Sequence, residues 1–444
     1  MNHIFKRTVI ATAALLFAGI QPAYAGGFQI GEMATRATGM GSAFTAVADD
    51  PSAAWYNPAG VAFMHGGVQA MVGGDGIIIP GTDYTSNAAT KGPGGAPITA
   101  SASSENKAIF VPHAYFTYTD ENSNFSTALS INAPFGLETD WPVTTPFVNK
   151  STLSKIQMVM VNPSIIYKIS DNLSIAGGFD YAYMNKVQLN NGVQDLTGDG
   201  DGWGGNAAIF YKGDNFNAGV TYRSRIKINV DGSAIAKGPL AALGGTSSSA
   251  TTSITLPDQV NAGIAWMPNE AWTLSLDVDW VNWKTFDSID IAYASAAYRG
   301  AVGGLSTAVA GGGPGAIGAA IAAQAGKTNL PENWKATVAV RVGAEWKYAS
   351  NMRARFGYVF DPTPIDDANF TPAIPGNDRH IFSVGYGYDF NEKTTIDLAY
   401  AFVYFQDRNQ TASPGTPVGA PDSVKNGNYQ SNVHIVAASL SYRF

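Results

Sequence analysis

Apolar and polar residues alternate along most of this chain, and the segment that begins at Trp272 shows the pattern most plainly. Its alternate positions are apolar: Trp272, Leu274, Leu276, Val278 and Trp280. The positions between them are polar: Thr273, Ser275, Asp277 and Asp279. A period of two is typical of a β-strand, in which successive side chains point to opposite faces. After Trp280 the apolar positions become Val281 and Trp283, and we predict a β-bulge that absorbs the extra residue.

Two further segments carry charged residues on the polar face, and these charges indicate which face of each strand contacts lipid. After Thr337 the apolar face holds Val338, Val340, Val342, Ala344, Trp346 and Tyr348, and the polar face holds Arg341, Glu345 and Lys347. After Phe216 the apolar face holds Ala218, Val220, Tyr222, Ile226, Ile228 and Val230, and the polar face holds Thr221, Arg223, Arg225, Lys227 and Asn229. A charge facing lipid at mid-membrane costs about 2–4 kcal/mol. The apolar faces are therefore predicted to face lipid, and the charged faces to face the interior of a barrel.

Tight polar turns separate some of these segments, and much longer connections separate the others. The turns are Asp120–Ser123, Ser170–Asn172, Gly213–Asn215, Pro268–Glu270, Ala349–Asn351 and Asn391–Lys393. The long connections lie near 85–105, 137–154, 190–201, 234–251, 293–333, 362–377 and 409–429. Because short and long connections alternate, the six turns and seven loops divide the chain into fourteen strands. Short periplasmic turns, long outer loops and an even strand number are typical of bacterial outer-membrane barrels.

Both ends of the chain carry features of export to the outer membrane. Lys6 and Arg7 precede a short apolar stretch, 8–20, and Ala23-Tyr24-Ala25 forms a small-x-small cleavage site, so residues 1–25 are predicted to be a signal peptide. The last alternating segment ends at Phe444, which resembles the C-terminal signature of outer-membrane barrels. We expect this strand to pair with the first one and close the barrel. We also expect Phe444 to contact the barrel-assembly machinery.

The composition agrees with an exported membrane barrel. The chain has no cysteine, hence no disulfides, and 14% of its residues are charged, against about 25% in typical soluble domains. No 18-residue apolar span follows the signal peptide, which argues against membrane-spanning helices. Loss of Lys6 and Arg7 takes the net charge from −7 to −9, because residues 1–25 contain no Asp or Glu. An acidic chain without a basic cluster argues against nucleic acid as a partner.

Two segments depart from the alternation of a simple barrel. Residues 26–62 are rich in Ala, Gly and Ser, lack period-two alternation and end in a turn signal after Trp55. Their apolar content favours a plug packed inside the lumen over a disordered periplasmic tail. At the end of the third strand, Pro134 cannot donate a ladder hydrogen bond and Gly136 permits a sharp bend. This is either an interruption of the strand or the point where the strand runs into its loop.

These segments carry a resemblance to a known family. Gly26-Gly27-Phe28-Gln29-Ile30, Ala48-Asp49-Asp50-Pro51 and Asn57-Pro58-Ala59-Gly60 resemble the N-terminal hatch of FadL/TodX-type outer-membrane transporters. Ala133-Pro134-Phe135-Gly136-Leu137 resembles the kinked third strand of that family, and 330–334 and 374–380 are also similar to it. The matches span nearly the whole mature chain in the expected order. The resemblance implies a fourteen-stranded barrel, 63–444, closed by a hatch, 26–62.

The resemblance also implies how the protein works. It implies uptake of long-chain fatty acids or other hydrophobic molecules across the outer membrane, with a sideways exit through a gap at the kink. Ala133, Pro134, Phe135 and Gly136 match the kink, and Asn57, Pro58 and Ala59 match the hatch segment that lies against it. Movement of the hatch would open the route, and no nucleotide, metal or other cofactor is required. A monomer is expected.

The head-group site is where this chain departs from the family. At the kink it has Ala133, which carries no hydroxyl, and on the fifth strand the counterpart of the family's arginine is Asn185, with Lys186 beside it. Strand phase favours Lys186 as the inward side chain, together with Asp180. Fatty acids are therefore the first hypothesis for the substrate, and neutral aromatic or aliphatic hydrocarbons are the alternative.

Two other classes of function are alternatives to transport. A general diffusion porin is the runner-up, and a plug in the lumen would argue against it because a plugged barrel conducts few ions. An outer-membrane hydrolase is third. The histidines of the mature chain, His65, His113, His380 and His434, stand neither beside a nucleophile nor in a metal-binding spacing, so no catalytic or metal site is predicted.

Overall fold

The computed structural model describes residues 26–92, 95–310, 327–411 and 421–444. The predicted signal peptide, 1–25, lies outside the described residues. Among those described, no helix is long and apolar enough to span a membrane.

Fourteen antiparallel strands of the described chain form the wall of a barrel. They are β1 (Gly67–Ile79), β2 (Lys107–Thr119), β3 (Phe125–Asn132), β4 (Leu153–Lys168), β5 (Leu173–Asn190), β6 (Gln194–Lys212), β7 (Phe216–Arg223), β8 (Gln259–Asn269), β9 (Trp272–Val281), β10 (Thr337–Ala349), β11 (Met352–Asp361), β12 (Arg379–Asn391), β13 (Thr394–Phe405) and β14 (Gly427–Arg443). Further strands of the described chain extend or cover them: Thr82–Thr85, Ser101–Ser103, Leu137–Asp140, Ile226–Ala236, Ser247–Leu256, Ser288–Tyr293, Lys327–Pro331 and Arg408–Gln410. Four α-helices, α1 (Thr35–Gly39), α2 (Ala53–Tyr56), α3 (Gly238–Ala242) and α4 (Ala296–Ala310), and three 3₁₀ segments, Pro58–Phe63, Trp283–Thr285 and Pro421–Lys425, complete the described elements.

The barrel closes between its last and first strands. β14 pairs with β13 on one side and with β1 on the other, where the register runs from Gln69 opposite Arg443 to Ile78 opposite His434. The backbone N–H of Phe444 donates to the carbonyl oxygen of Val68 at 3.0 Å. Every strand of the wall thus pairs with two others, although not always along its whole length. The predicted closed barrel of fourteen strands is confirmed.

The six predicted tight turns all join consecutive strands, but the predicted loop at 190–201 is wrong. β5 continues to Asn190 and β6 begins at Gln194, and their ladder runs up to Asn190 opposite Asp195. The glycines in this stretch permit close approach of neighbouring backbones. A Cβ added at Gly200 would lie 1.9 Å from the carbonyl oxygen of Asn229. A Gly- and Asp-rich run that looks like a loop is thus a strand in a crowded part of the sheet.

Inward and outward faces follow the predicted phase in β9 and β10. Asp277 and Arg341 are buried, whereas Val342 and Trp346 are exposed on the outer surface. The predicted phase fails after Arg223, because Ile226, Ile228 and Val230 are buried instead of facing lipid. β7 and the strand that follows it, Ile226–Ala236, both pair with β6. The register shifts by one residue between them, from Arg223 opposite Asn206 to Asn229 opposite Asp201. This bulge at Ser224 and Arg225 exchanges the two faces.

The predicted bulge after Trp280 is a longer interruption. β9 stays in register with β8 to Val281. After the 3₁₀ turn Trp283–Thr285, the strand Ser288–Tyr293 pairs with other partners, Ser247–Leu256 and Lys327–Pro331. Val281 and Trp283 are buried, at 4% and 0% exposure, so neither faces lipid. The indole of Trp283 instead packs against aromatic rings from distant parts of the chain.

The N-terminal segment, defined here as residues 26–63, is almost wholly buried against inward-facing side chains of the wall. Arg36 Nε donates to Glu345 Oε2 on β10 at 3.0 Å. The backbone N–H of Thr45 donates to Asp277 Oδ2 on β9 at 2.8 Å. β9 and β10 are neighbours in the wall, and Ser174 Oγ on β5 donates to the carbonyl oxygen of Ala59, so strands from different parts of the wall contact one segment. The division of the chain into a plug and a barrel at 62/63 stays a prediction.

Candidate functional site

The third strand is interrupted where the sequence predicts it. β3 pairs with β4 as far as Asn132 opposite Met160, and pairing resumes only at Leu137 opposite Ile156. β2 pairs with β1 along its whole length, but with β3 only from Ala114 to Thr119. Residues 107–113 of β2 therefore have a strand partner on one side only within the described chain. The wall has a gap between β2 and β3.

The residues of the interruption turn inward and pair with the N-terminal segment. The N–H of Ile30 donates to the carbonyl oxygen of Pro134 at 2.9 Å, and the N–H of Gly136 donates to that of Phe28 at 3.0 Å. Gln29 and Phe135 face each other as an isolated antiparallel bridge. Because Pro134 has no N–H, it cannot donate a hydrogen bond to β2. Its carbonyl oxygen accepts the hydrogen bond from Ile30 on the inner side. The predicted residues 133–136 thus lie at the gap, held by residues 28–30.

A cavity of about 500 Å³ lies beside this interruption, and we call it the main cavity. Its inner wall is aliphatic and includes Ile77, Ile109, Val111, Ile381, Val403 and Ile435. It is also lined by every residue of β2 from Ile109 to Ala114, and therefore by both faces of that strand. One of these residues, Phe110, is 70% exposed on the outside of the barrel. The cavity accordingly reaches from the lumen to the outer surface through the gap.

An aromatic cluster holds the start of the N-terminal segment beside the cavity. The ring of Phe28 lies 5.9 Å from Phe135, 4.9 Å from Trp283, 5.3 Å from Phe286 and 5.8 Å from Trp334, measured between centroids. Gly27 has a positive φ of 56°, and a Cβ there would lie 2.6 Å from the Trp334 ring. Sequence reasoning missed these partners of Phe28, because they lie far from it in the chain. Trp283 and Phe286 follow β9, and Trp334 precedes β10. Their one local signal is the break in strand phase around Trp283.

Asn57, Pro58 and Ala59 are not at the interruption. Asn57 Nδ2 donates to the carbonyl oxygens of Thr45 at 2.9 Å and Ile209 at 3.2 Å. Ser174 Oγ on β5 donates to the carbonyl oxygen of Ala59 at 2.6 Å. These contacts place the tripeptide against the turn-side ends of β5 and β6. The residues that lie against the kink are Phe28, Gln29 and Ile30 instead.

Lys186 does not line the main cavity, although strand phase predicted an inward side chain. The registers of β5 with both β4 and β6 shift at this point, between Met184 and Val187 on the β6 side. A bulge at Asn185 and Lys186 therefore interrupts the alternation on which the prediction rested. Asn185, the neighbour of Lys186 in the chain, does line the cavity and is exposed at the outer end.

The basic side chain on the cavity wall is Arg379, which sequence reasoning did not assign to the site. Its Nε donates to Asp361 Oδ2 at 3.0 Å, and its Nη1 contacts the carbonyl oxygen of Gln29 at 3.4 Å. The guanidinium is thus already paired and ties the N-terminal segment to β12. No group of three or more histidine, aspartate or glutamate side chains suited to a metal occurs among the described residues.

Comparison with known proteins places this architecture in a family. The family model described as outer membrane protein transport protein (OMPP1/FadL/TodX) matches residues 16–444. The chain belongs to this family. A "Long-chain fatty acid transport protein" of Escherichia coli O6:H1 is 24% identical, and the match covers 93% of this chain and 94% of that protein. The chain is therefore an outer-membrane transport protein and not an enzyme.

Solved structures of the family share the fold. A Pseudomonas aeruginosa FadL homologue is 18% identical, with a TM-score of 0.72 over 94% of this chain and all of that one. The Ralstonia pickettii toluene transporter TbuX is 16% identical, with a TM-score of 0.62 over 93% of this chain and 98% of that one. At such identities the likeness concerns the fold alone.

A second cavity of about 270 Å³ lies among the outer connections, and we call it the outer cavity. Apolar side chains line much of it: Leu189, Val193, Leu240, Val302, Leu305 and Phe370. Glu332, in the connection before β10, also lines it and accepts a hydrogen bond from Trp334 Nε1 at 3.1 Å. Burial raises the pKa of this carboxyl to about 8.

The buried Glu332 predicts a loss of stability at alkaline pH. The folded protein holds the proton up to a pH of about 8, whereas the unfolded chain releases it near the ordinary pKa of 4.5. Stability contributed by the neutral carboxyl is therefore present below the ordinary value and is lost as the pH rises toward 8. Glu332→Gln, which cannot ionise, should melt at the same temperature as the parent protein at pH 4 and at a higher temperature at pH 9. Thermal melts in detergent check this, and a difference that does not depend on pH would contradict it.

Proposed function

We propose that this protein carries hydrophobic molecules from the cell exterior into the outer membrane, through the main cavity and the gap between β2 and β3. One observation carries the proposal. An aliphatic cavity of about 500 Å³ is continuous from the lumen to the outer surface at the only interruption that separates adjacent strands of the described wall. The names of the E. coli and R. pickettii relatives refer to fatty acids and to toluene, and both kinds of molecule are hydrophobic over most of their surface.

The physical reason for such a route is the low solubility of these molecules in water. A water-filled pore offers an apolar molecule nothing better than bulk water, whereas an aliphatic cavity removes its surface from water. The outer cavity is suited to first capture, because it lies among the loops. The main cavity is suited to delivery, because it opens sideways into lipid. No cofactor or energy source enters this scheme.

In this proposal the N-terminal segment is the hatch that closes the lumen. Residues 28–30 pair with the interruption, and Asn57, Pro58 and Ala59 fix the far end of the segment to β5 and β6. Local movement of residues 28–30 would connect the two cavities while the far end stays in place. We further propose that the protein is a monomer and that Phe444 serves recognition by the barrel-assembly machinery.

Long-chain fatty acids are the first candidates for the substrate, and neutral hydrocarbons are the alternative. The aliphatic lining suits an alkyl chain, but the cavity offers a carboxylate only Arg379, which Asp361 already occupies. Uptake of radiolabelled hexadecanoate, hexadecane and toluene by cells that lack their own transporter tests the proposal. Uptake of none of the three above the level of empty cells would reject it. High ion conductance of the intact protein in planar bilayers would favour the porin instead.

The position of Lys186 predicts that its charge does not bind substrate. Lys186→Met should leave the affinity for a long-chain carboxylate unchanged, because the side chain does not line the main cavity. Arg379→Met should weaken it or destabilise the fold, since it removes the cation on the wall and leaves Asp361 without its partner. Fluorescence displacement with a bound fatty-acid analogue measures both affinities. Weaker carboxylate binding by Lys186→Met, with hydrocarbon binding intact, would restore the sequence-based assignment.

A further inference from the structure

Polar atoms without partners lie at one end of the otherwise aliphatic main cavity. They belong to Asn132, His113 and Glu32, which all line the cavity and are 2%, 4% and 5% exposed. Buried polar groups of folded proteins are nearly always hydrogen-bonded, so such a cluster beside an open space needs a partner. A molecule bound in the main cavity could supply the missing hydrogen bonds.

The three side chains lie at one level of the barrel, where the ladder between β2 and β3 stops. The last pair of that ladder is Ala114 opposite Ile131, so His113 and Asn132 are the next pair in the same register, and both face inward. One inward position farther along β2, the hydroxyl of Tyr115 donates to the carbonyl oxygen of Met33. This contact brings Glu32, the neighbour of Met33, to the same end of the cavity.

Asn132 has the largest unmet hydrogen-bonding capacity of the three. The hydroxyl of Tyr115 lies beside the amide and can accept a hydrogen bond from Nδ2. Because that hydroxyl gives its own proton to Met33, it cannot donate to Oδ1, so the amide oxygen and the second N–H of Nδ2 have no partner among the described residues. His113 is half satisfied, with Nδ1 3.3 Å from Asp75 Oδ2 and Nε2 without a partner.

The charges around this cluster are unsuited to an anion. Glu32 lies 3.7 Å from Arg341 Nη1, and Arg341 Nε also donates to Asp279 at 2.5 Å, so this cation is shared between two acids. Among the described residues that line the main cavity, the acids are Glu32 and Glu138, and the one Lys or Arg is Arg379. A carboxylate placed at Asn132 would meet like charge and no free cation.

We infer that the main cavity takes an aliphatic molecule with an uncharged hydroxyl end group, a long-chain alcohol, and that Asn132 binds that hydroxyl. A hydroxyl both donates and accepts, so it can satisfy Oδ1 and Nδ2 of one amide at once. The alkyl chain then lies along Ile109, Val111 and Ile381. This assignment of the substrate class rests on the transport function proposed above.

Binding of three ligands of equal chain length to the purified protein in detergent tests the inference. The ligands are dodecane, 1-dodecanol and dodecanoate, at a pH where the acid is ionised. The parent protein should bind dodecanol about tenfold more tightly than either of the others, the effect of satisfying one buried polar side chain. Asn132→Leu, which keeps the size and removes the polar atoms, should bind dodecanol no better than dodecane. Its affinity for dodecane should stay the same.

The same substitution elsewhere in the cavity provides the matched control. Asn185 lines the outer end and is exposed, so Asn185→Leu should keep the preference for dodecanol. Dodecane binding and heat-modifiable migration in gels show that each variant is folded. Should Asn132→Leu not fold, His113→Leu takes its place, with a reduced preference for dodecanol expected.

Two results would overturn the inference while leaving transport intact. One is tighter binding of dodecanoate than of dodecanol by the parent protein. The other is an unchanged preference for dodecanol in Asn132→Leu, or an equal loss in Asn185→Leu. Failure to bind any of the three ligands would instead count against the proposed function itself.

Discussion

Deletion of residues 26–60 should turn this barrel from a nearly closed protein into an ion-conducting pore. The N-terminal segment occupies the space between β5, β9 and β10, with contacts that include Arg36 to Glu345 and Ser174 to Ala59. Without it, the charged inner faces of these strands would line a water-filled lumen, as in porins. Single-channel recording in planar bilayers should show stable conductance for the deletion variant and little for the parent protein.

The deleted protein should still fold, because the wall does not depend on the segment for closure. Each strand of the barrel pairs with two others, and β14 closes on β1 through ten residue pairs. Inner charges that lose protein partners gain water, so their burial is not left uncompensated. The variant keeps residues 1–25, the predicted signal peptide. Heat-modifiable migration and proteolysis of whole cells verify insertion before conductance is measured.

A deletion among the outer loops is the control for nonspecific damage. Removal of 239–245, which contains most of α3 (Gly238–Ala242), leaves the N-terminal segment and the wall untouched. Its conductance should remain as low as that of the parent protein. If the 26–60 deletion inserts and conducts no better than this control, the segment is not the plug.

The architecture was accessible from sequence because it follows from local rules. Alternation of period two and tight polar turns fix strand number and face wherever one face must avoid lipid, as Asp277 and Arg341 illustrate. The interruption at Pro134 was accessible for the same reason, since a missing N–H is a property of one residue. Such features need no knowledge of what lies opposite in space.

The errors arose where a side chain's direction depends on a neighbouring strand. A bulge moves every later residue to the other face, and two bulges explain the misplacement of Ile226 and Lys186. Whether a strand accommodates an extra residue in a bulge depends on how it pairs with the strands on both sides. The alternation of residues within one strand does not reveal that pairing. The Gly-rich start of β6 belongs to the same class, because its glycines are required by the backbone beside them.

The candidate site lay largely beyond such local reasoning. Phe28 meets Trp283 and Trp334, and Arg379 meets Gln29, across sequence separations of hundreds of residues. Asn132 could be located at a strand end from sequence, but its lack of partners is a property of the assembled cavity. The family resemblance supplied the kink and the hatch. It placed Asn57, Pro58 and Ala59 against the kink, whereas the structure has Phe28, Gln29 and Ile30 there.

A disulfide between positions 29 and 135 should block transport reversibly. Gln29 and Phe135 are the facing residues of an antiparallel bridge whose flanking hydrogen bonds run from Ile30 to Pro134 and from Gly136 to Phe28. In such a non-hydrogen-bonded pair the Cα atoms lie about 4.5 Å apart, within the range of a disulfide. The chain has no cysteine of its own, so Gln29→Cys with Phe135→Cys gives one defined cross-link.

The cross-link separates the two ways in which the gap could serve transport. If residues 28–30 must leave the interruption for substrate to pass, the oxidised double variant should take up almost none, and a membrane-permeant reductant should restore uptake to the level of the reduced protein. Each single variant, measured alone, accounts for the loss of the Phe135 ring or of the Gln29 side chain. After proteolytic cleavage of the chain between positions 29 and 135, the two fragments stay joined only if the disulfide has formed. The fraction that still migrates as one species on a non-reducing gel is the fraction cross-linked.

Undiminished uptake by the fully oxidised protein would show that the N-terminal residues stay paired during transport. The main cavity would then be a permanently open route, since it already reaches the exposed Phe110 through the gap between β2 and β3. In that case control would have to lie at the junction between the outer and main cavities, where Ile156, Leu137 and Ile374 line both. Bulkier side chains at these three positions, with the disulfide left intact, would then be the variants that lower uptake. The oxidised double variant therefore locates the gate whichever way it behaves.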